Sequence, residues 1–150
     1  MDKFKIVGLE GKSRRVVVEA QFNPKEIGFD KAVPWQVQAK KGPADLEFNA
    51  GQPMTMDLEL LFDGFQSASS IQGEIDKLHT LSGVDATLKR PPKVKVVWGQ
   101  EGAEGMMPAF QAVIEALSVK YIMFGENGAP LRATVRLKFK EANDLAVGKP

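Results

Sequence analysis

Apolar and polar residues alternate with period two along most of this chain, the pattern of strands that bury one face. Between Arg14 and Phe22, the residues Val16, Val18, Ala20 and Phe22 share one face, and Val17, Glu19 and Gln21 share the other. That strand is predicted to stop at Asn23-Pro24, because proline has no N–H for a ladder and Asn-Pro favours a turn. Ile27 to Gln38 reads as extended, with Pro34 confining it to a sheet edge or a bulge, and a short strand is predicted from Asp45 to Asn49. The most regular alternation follows. Met54, Met56, Leu58, Leu60 and Phe62 oppose Thr55, Asp57, Glu59, Leu61 and Asp63, so one side meets a core and the other is mostly acidic.

The period then changes. Ile71, Ile75, Leu78 and Leu81 are spaced by four, three and three, which makes one apolar stripe on a helix over Ser69–Leu81. Ser69 with Gln72 has the form of a capping box, and Gly83 stands where a C′ glycine would end the helix. After the extended Arg90-Pro91-Pro92, the residues Val94, Val96 and Trp98 alternate with Lys93 and Lys95 as another strand. From Pro108 two periods compete. Phe110, Val113, Ile114 and Leu117 suit a helix, whereas Leu117, Val119, Tyr121 and Met123 suit a strand that runs into the turn signal Asn127-Gly128. The final strand puts Leu131, Ala133, Val135, Leu137 and Phe139 on one face and Arg132, Thr134, Arg136, Lys138 and Lys140 on the other.

These elements predict a mainly β fold, an antiparallel β-barrel or sandwich with one amphipathic helix inserted between strands. No repeat or linker divides the chain, so residues 1–150 read as a single domain with a frayed end over 143–150. The opposite faces of the long strands segregate by sign, acidic over Met54–Asp63 and basic over Leu131–Lys140. Segregated faces suit a channel wall or contacts between copies, and an ordinary solvated face is the alternative.

Composition narrows the chemistry. The chain has no cysteine and one histidine, which excludes thiolate metal sites, a thiol nucleophile and a disulfide framework, and leaves no multi-histidine site within one copy. Lys+Arg number 20 and Asp+Glu 19, a net charge of +1, which argues against a nucleic-acid partner. No apolar run reaches the roughly 18 residues of a spanning helix and no export signal opens the chain, so cytoplasmic synthesis without membrane insertion is expected.

Individual candidates for catalysis fall away. Gly99, Gly102 and Gly105 imitate a phosphate loop, but Glu101 and Glu104 would repel a phosphate, so a plain loop is expected. His79 lacks the partners of a catalytic or metal site. Asp57, Glu59 and Asp63 could supply a glycosidase carboxylate only with a second acid opposite them, and none is identifiable. Trp35 and Trp98 read as core or interface anchors. No catalytic residue, cofactor or metal is expected.

Specific strings then carry a resemblance. Lys3-Phe4-Lys5-Ile6-Val7 precedes Gln21-Phe22-Asn23-Pro24. Next come Glu47-Phe48 with Gly51-Gln52-Pro53, and Leu58-Glu59-Leu60-Leu61-Phe62-Asp63. Arg90-Pro91-Pro92 leads to Trp98-Gly99, followed by Tyr121, Phe124 and Gly128-Ala129-Pro130-Leu131-Arg132-Ala133. In this order they resemble the tube-domain family of contractile injection systems, the phage-tail-like particles. The resemblance implies a phage tail-tube-like barrel flanked by a helix, assembled as a hexameric ring that acts as baseplate adaptor or tube initiator. Such a ring contacts the central spike or hub, the inner tube protein and other baseplate proteins, in a particle assembled in the cytoplasm and then released or membrane-attached. Many relatives carry a LysM-type domain, for which this sequence shows no segment. In such a ring, Arg132, Arg136, Lys138 and Lys140 are expected to line the channel or meet acids of the next copy, with Asp57, Glu59 and Asp63 in the opposing patch. Loops around Lys40–Pro43 and Gly99–Pro108 are expected to make ring-to-ring contacts. A monomeric ligand-binding barrel stays open as a second reading, and a small hydrolase as a remoter third.

Overall fold

A computed structural model of the chain describes residues 3–38, 45–48, 53–65, 70–99 and 103–142. Its strands are β1 (Lys5–Gly8), β2 (Val17–Glu19), β3 (Gly28–Asp30), β4 (Trp35–Gln38), β5 (Asp45–Phe48), β6 (Thr55–Asp63), β7 (Val94–Val97), β8 (Phe110–Phe124) and β9 (Pro130–Glu141), with helix α1 (Gln72–Ser82) between β6 and β7. Seven strands form one antiparallel sheet in the order β2-β1-β7-β8-β9-β6-β3, and β4 pairs with β5 alone. The expected mainly β fold with one helix is what the chain adopts. Among the described residues the sheet does not hydrogen-bond into a closed barrel, because β2 and β3 remain its two edges.

The core lies on one face. Met56, Leu58, Leu60 and Phe62 of β6 and Ala133, Val135, Leu137 and Phe139 of β9 are buried in matching rows, Leu58 opposite Leu137 and Leu60 opposite Val135. Helix α1 covers this face with Ile75, Leu78 and Leu81, all fully buried. Burying side chains of this size stabilises by roughly 1.5–3 kcal/mol each. The helix begins later than the capping-box form implied. Gln72 is its first residue, its N–H bonded to Ser70 Oγ at 3.1 Å, and its side chain reaches Asp76 at 2.8 Å and the Tyr121 hydroxyl at 2.8 Å instead of capping. Ser69 lies outside the described residues. Gly83 is extended, at φ −86°, and not a left-handed C′ residue.

The competing periods after Pro108 resolve as one 15-residue strand with a bulge. Ile114 pairs with Phe139 and Ala116 with Lys138, so Glu115 is the extra residue. Before it the even positions Phe110, Ala112 and Ile114 face the core. After it the odd positions Leu117 and Val119 do, opposite Leu137 and Val135. The helix-like spacing of Ile114 and Leu117 is therefore a strand that gains one residue and swaps faces. The first predicted strand is shorter than its alternation suggested. Gly11–Arg15 forms a 3₁₀ turn, β2 begins at Val17, and Phe22 lies past its end with half its surface exposed (51%).

Two polar clusters fasten the irregular parts. Glu10 takes both terminal nitrogens of Arg90 at 2.9 Å and the Lys93 N–H at 2.7 Å. Asp85 accepts the N–H groups of Lys12 at 2.9 Å, Thr87 at 2.8 Å and Leu88 at 3.1 Å. Gly11, at φ +58°, lets the 3₁₀ turn press against Asp85, where a Cβ would collide with its carboxylate. The Arg90 guanidinium, aided by the Lys93 N–H and opposed by burial, holds the Glu10 carboxyl below its ordinary 4.5. The Lys12 N–H, then that of Leu88, holds Asp85 below its ordinary 3.8.

Both depressions stabilise the fold fully above the ordinary values and are lost as pH falls through the lower folded ones, since the unfolded chain then binds more protons. Melting temperature should be flat well above pH 4.5 and fall below it, and Glu10→Gln should lower the neutral-pH value and flatten the acid slope. Deleting Glu115 should turn Leu117 and Val119 outward and abolish cooperative unfolding, whereas Glu115→Ala should change stability by less than about 0.5 kcal/mol in urea denaturation.

Candidate assembly surface

The outer face of β6, β9 and β8 carries the charged residues singled out above. Antiparallel pairing sets Asp63 opposite Arg132, Glu59 opposite Arg136 and Asp57 opposite Lys138. Arg132 donates from Nε and Nη2 to Asp63 Oδ2 at 3.1 and 3.0 Å, and Arg136 Nε donates to Glu59 Oε2 at 3.1 Å. The acidic strand and the basic strand are thus neighbours within one chain. Lys138 and Asp57 share a row without an ion pair within 4 Å among the described residues. Lys140 stands opposite Thr55 and is exposed. On the far side of β9, strand β8 contributes Ala116, Ser118 and Lys120 to the same rows.

The pairs differ in setting. Arg136 is 80% exposed, so its bond to Glu59 adds little stability and mainly favours this register. The Arg132–Asp63 pair is less exposed. The Phe65 N–H, opposed by burial and aided by the Arg132 guanidinium, holds the Asp63 carboxyl below its ordinary 3.8.

Over this face the connector from Phe22 to Gly28 walls an open groove of 1140 Å³, whose floor includes Glu59 and Leu61 of β6, Arg136 and Lys138 of β9 and Ser118 of β8. The string Gln21-Phe22-Asn23-Pro24 builds that wall. The Gln21 amide donates to Asp63 O and accepts from Asp63 N, both at 2.7 Å, as a neighbouring strand would. Asn23 Oδ1 accepts the Phe4 N–H at 2.9 Å, and Pro24 is buried. At the other end Gly28 pairs with Asp57, where a Cβ would meet Asp57 Oδ1 at 2.9 Å. The connector therefore holds the β6 edge at Asp57 and Asp63 and leaves it between them.

The remaining candidates are dispersed. His79 is exposed on α1, and no metal-binding cluster occurs among the described residues. Gly99 and Gly105 have φ of +68° and +80° and serve turns, while Gly102 and the Lys40–Pro43 loop lie outside the described residues. Trp98 packs on Phe4 with ring centroids 6.0 Å apart, and Trp35 is exposed at the start of β4. Sequence reasoning missed the pairing of acids with bases in one chain, although a signal was present. The acids at 57, 59 and 63 have gaps of two and four, and the bases at 132, 136 and 138 have the reverse, the mirror order that antiparallel neighbours require.

No helix among the described residues is long and apolar enough to cross a membrane. A comparison with curated proteins finds no match. The family model described as contractile injection system tube protein matches residues 1–148. With that match running nearly end to end, the chain belongs to the contractile injection system tube protein family and is a structural component of such a system.

Proposed function

We propose that the protein forms a hexameric ring that serves as baseplate adaptor or tube initiator, joining a central spike to the inner tube, and that it acts without catalysis. The supporting observation is the asymmetry of the sheet. One face of β6, β8 and β9 is sealed by the core and α1, while the other is charged and forms the floor of an open groove. Such a face suits the wall of a water-filled channel. In this reading Arg136, Lys138 and Lys140 project toward the lumen with Asp57 and Glu59, and the Arg132–Asp63 pair stands at one end of the ladder. Because Arg132 and Arg136 are matched within a chain, this face shapes the channel surface, and the contacts between copies come from other parts. A ring of one chain type needs two different patches that meet head to tail. Its partners are further copies of itself, the inner tube protein, the spike or hub and other baseplate proteins, within a particle released or held at a membrane; nucleic acid is not among them.

Light scattering coupled to size exclusion should give a hexamer, and negative-stain images a ring with a central hole. A strictly monomeric protein, alone and with its spike, would favour a monomeric ligand-binding protein. Arg132→Glu with Arg136→Glu should lower the melting temperature, and adding Glu59→Arg and Asp63→Arg should restore it with rings intact, because the pairs re-form with reversed sign. A four-fold variant with the wild-type melting temperature but no rings would contradict the assignment of this face to the channel wall.

A further inference from the structure

The sheet divides into two blocks that are fastened unequally. In the larger, β9 pairs with β6 from Thr55 to Asp63 and with β8 from Ala112 to Phe124, and β3 adds to β6. The smaller comprises residues 3–20 and 85–98, which carry β1, the 3₁₀ turn, β2 and β7. It is well tied within itself. Strand β1 lies between β2 and β7, the Leu9 N–H donates to Lys93 O at 2.9 Å, and the Ala20 N–H donates to Phe4 O at 2.8 Å. Glu10 grips Arg90, Asp85 accepts the Lys12 N–H, and Trp98 packs on Phe4. Two segments some 80 residues apart in sequence are thus bound into one unit.

The joints between the blocks are slighter. Along the sheet, β7 meets β8 at three positions, Val94 with Ala112, Lys95 with Gln111 and Val96 with Phe110. On the opposite side β2 and β6 share no ladder. There the Gln21 amide spans the gap, donating to Asp63 O and accepting from the Asp63 N–H, both at 2.7 Å and both exposed, so water competes for each group. Helix α1 bridges the two blocks. Its start is held to the larger one, where the Ile71 N–H donates to Pro130 O at 3.1 Å and the Tyr121 hydroxyl donates to Gln72 Oε1 at 2.8 Å. Its end passes to the smaller one through Gly83 and Val84, the latter 73% exposed. The smaller block brings Phe4, Ile6, Val18, Ala20, Val94 and Val96 to the core. That is a fraction of the buried apolar surface, so detaching it costs less than unfolding the whole chain.

We propose that the smaller block is a separately opening unit, closed by the clasp of Gln21 on Asp63. When the amide lets go, the block turns about the β7–β8 ladder and opens the core at the seam between β2 and β6, while β6, β8 and β9 stay paired. Gln21 is the positioning residue of this device. Its side chain supplies the donor and the acceptor that a neighbouring strand would present, yet it releases them by rotation of a side chain, with no strand broken. The device belongs to a single copy and does not depend on the ring. It leaves the charged face of β6, β9 and β8 unchanged in both states.

Hydrogen exchange of the full chain as purified, followed by mass spectrometry of its peptides in rising sub-denaturing urea, measures this opening. Peptides from residues 3–20 and 85–98 should share one level of protection, at least about tenfold below that of Pro130–Glu141, with a weaker dependence on urea. Gln21→Ala should speed exchange in 3–20 and 85–98 by about tenfold, since two exposed hydrogen bonds are lost, and leave Pro130–Glu141 as it was. Equal protection and equal urea dependence of the two blocks in the wild type would overturn the proposal. So would acceleration of both blocks alike in Gln21→Ala. Because the chain has no cysteine, thiol labelling gives a second readout. Ala20→Cys and Ala133→Cys each place a thiol at a buried site, one in each block. The first should react at least about tenfold faster than the second, through the smaller opening, and equal rates would count against a separate unit.

Discussion

The pairing of β8 with β9 is the interaction on which the remaining strands depend. β7 attaches to β8 and β6 to β9, while β1 and β3 attach one step further out and β2 one beyond that. The pair works only because β8 takes in the extra residue Glu115. Without the bulge, the apolar positions of its first half and of its second half would face opposite sides. With it, Ile114, Leu117 and Val119 all meet β9 side chains that face the core, and Ala116, Ser118 and Lys120 join the charged face.

Polar side chains then finish what the main chain leaves open. The Gln21 amide holds the end of β6 with a donor and an acceptor, as a strand would, and Asn23 satisfies the Phe4 N–H. Glu10 and Asp85 collect main-chain N–H groups and the Arg90 guanidinium around the turns beyond α1. An ionised carboxylate is a strong acceptor, so a few such residues can settle irregular backbone that no ladder reaches. The same device limits the sheet, because among the described residues the connector hydrogen-bonds to β6 at Asp63, and β3 begins opposite Asp57.

Charge plays a different part from the one its distribution along the chain suggests. An acidic strand and a basic one invite a contact between copies, yet they lie side by side in the same copy and exchange hydrogen bonds there. Electrostatic matching of this exposed kind selects register more than it adds stability.

Much was legible in the residues themselves. The alternation of Met56, Leu58, Leu60 and Phe62, the helical stripe Ile75, Leu78 and Leu81, and the turn at Asn127-Gly128 each specify an element, since periodicity and turn chemistry are local properties. The ordered strings that resemble tube proteins were legible too, and the family match agrees with them. Periodicity could not show which strand lies beside which, because pairing joins residues such as Asp63 and Arg132, distant in sequence. A bulge hides from it for a related reason, since one inserted residue makes a strand look like a helix. The groove exists because β3 stops opposite Asp57 while the Phe22–Gly28 connector stands over the charged face. That end point depends on how the whole sheet packs, so only the tertiary structure decided where the groove lies.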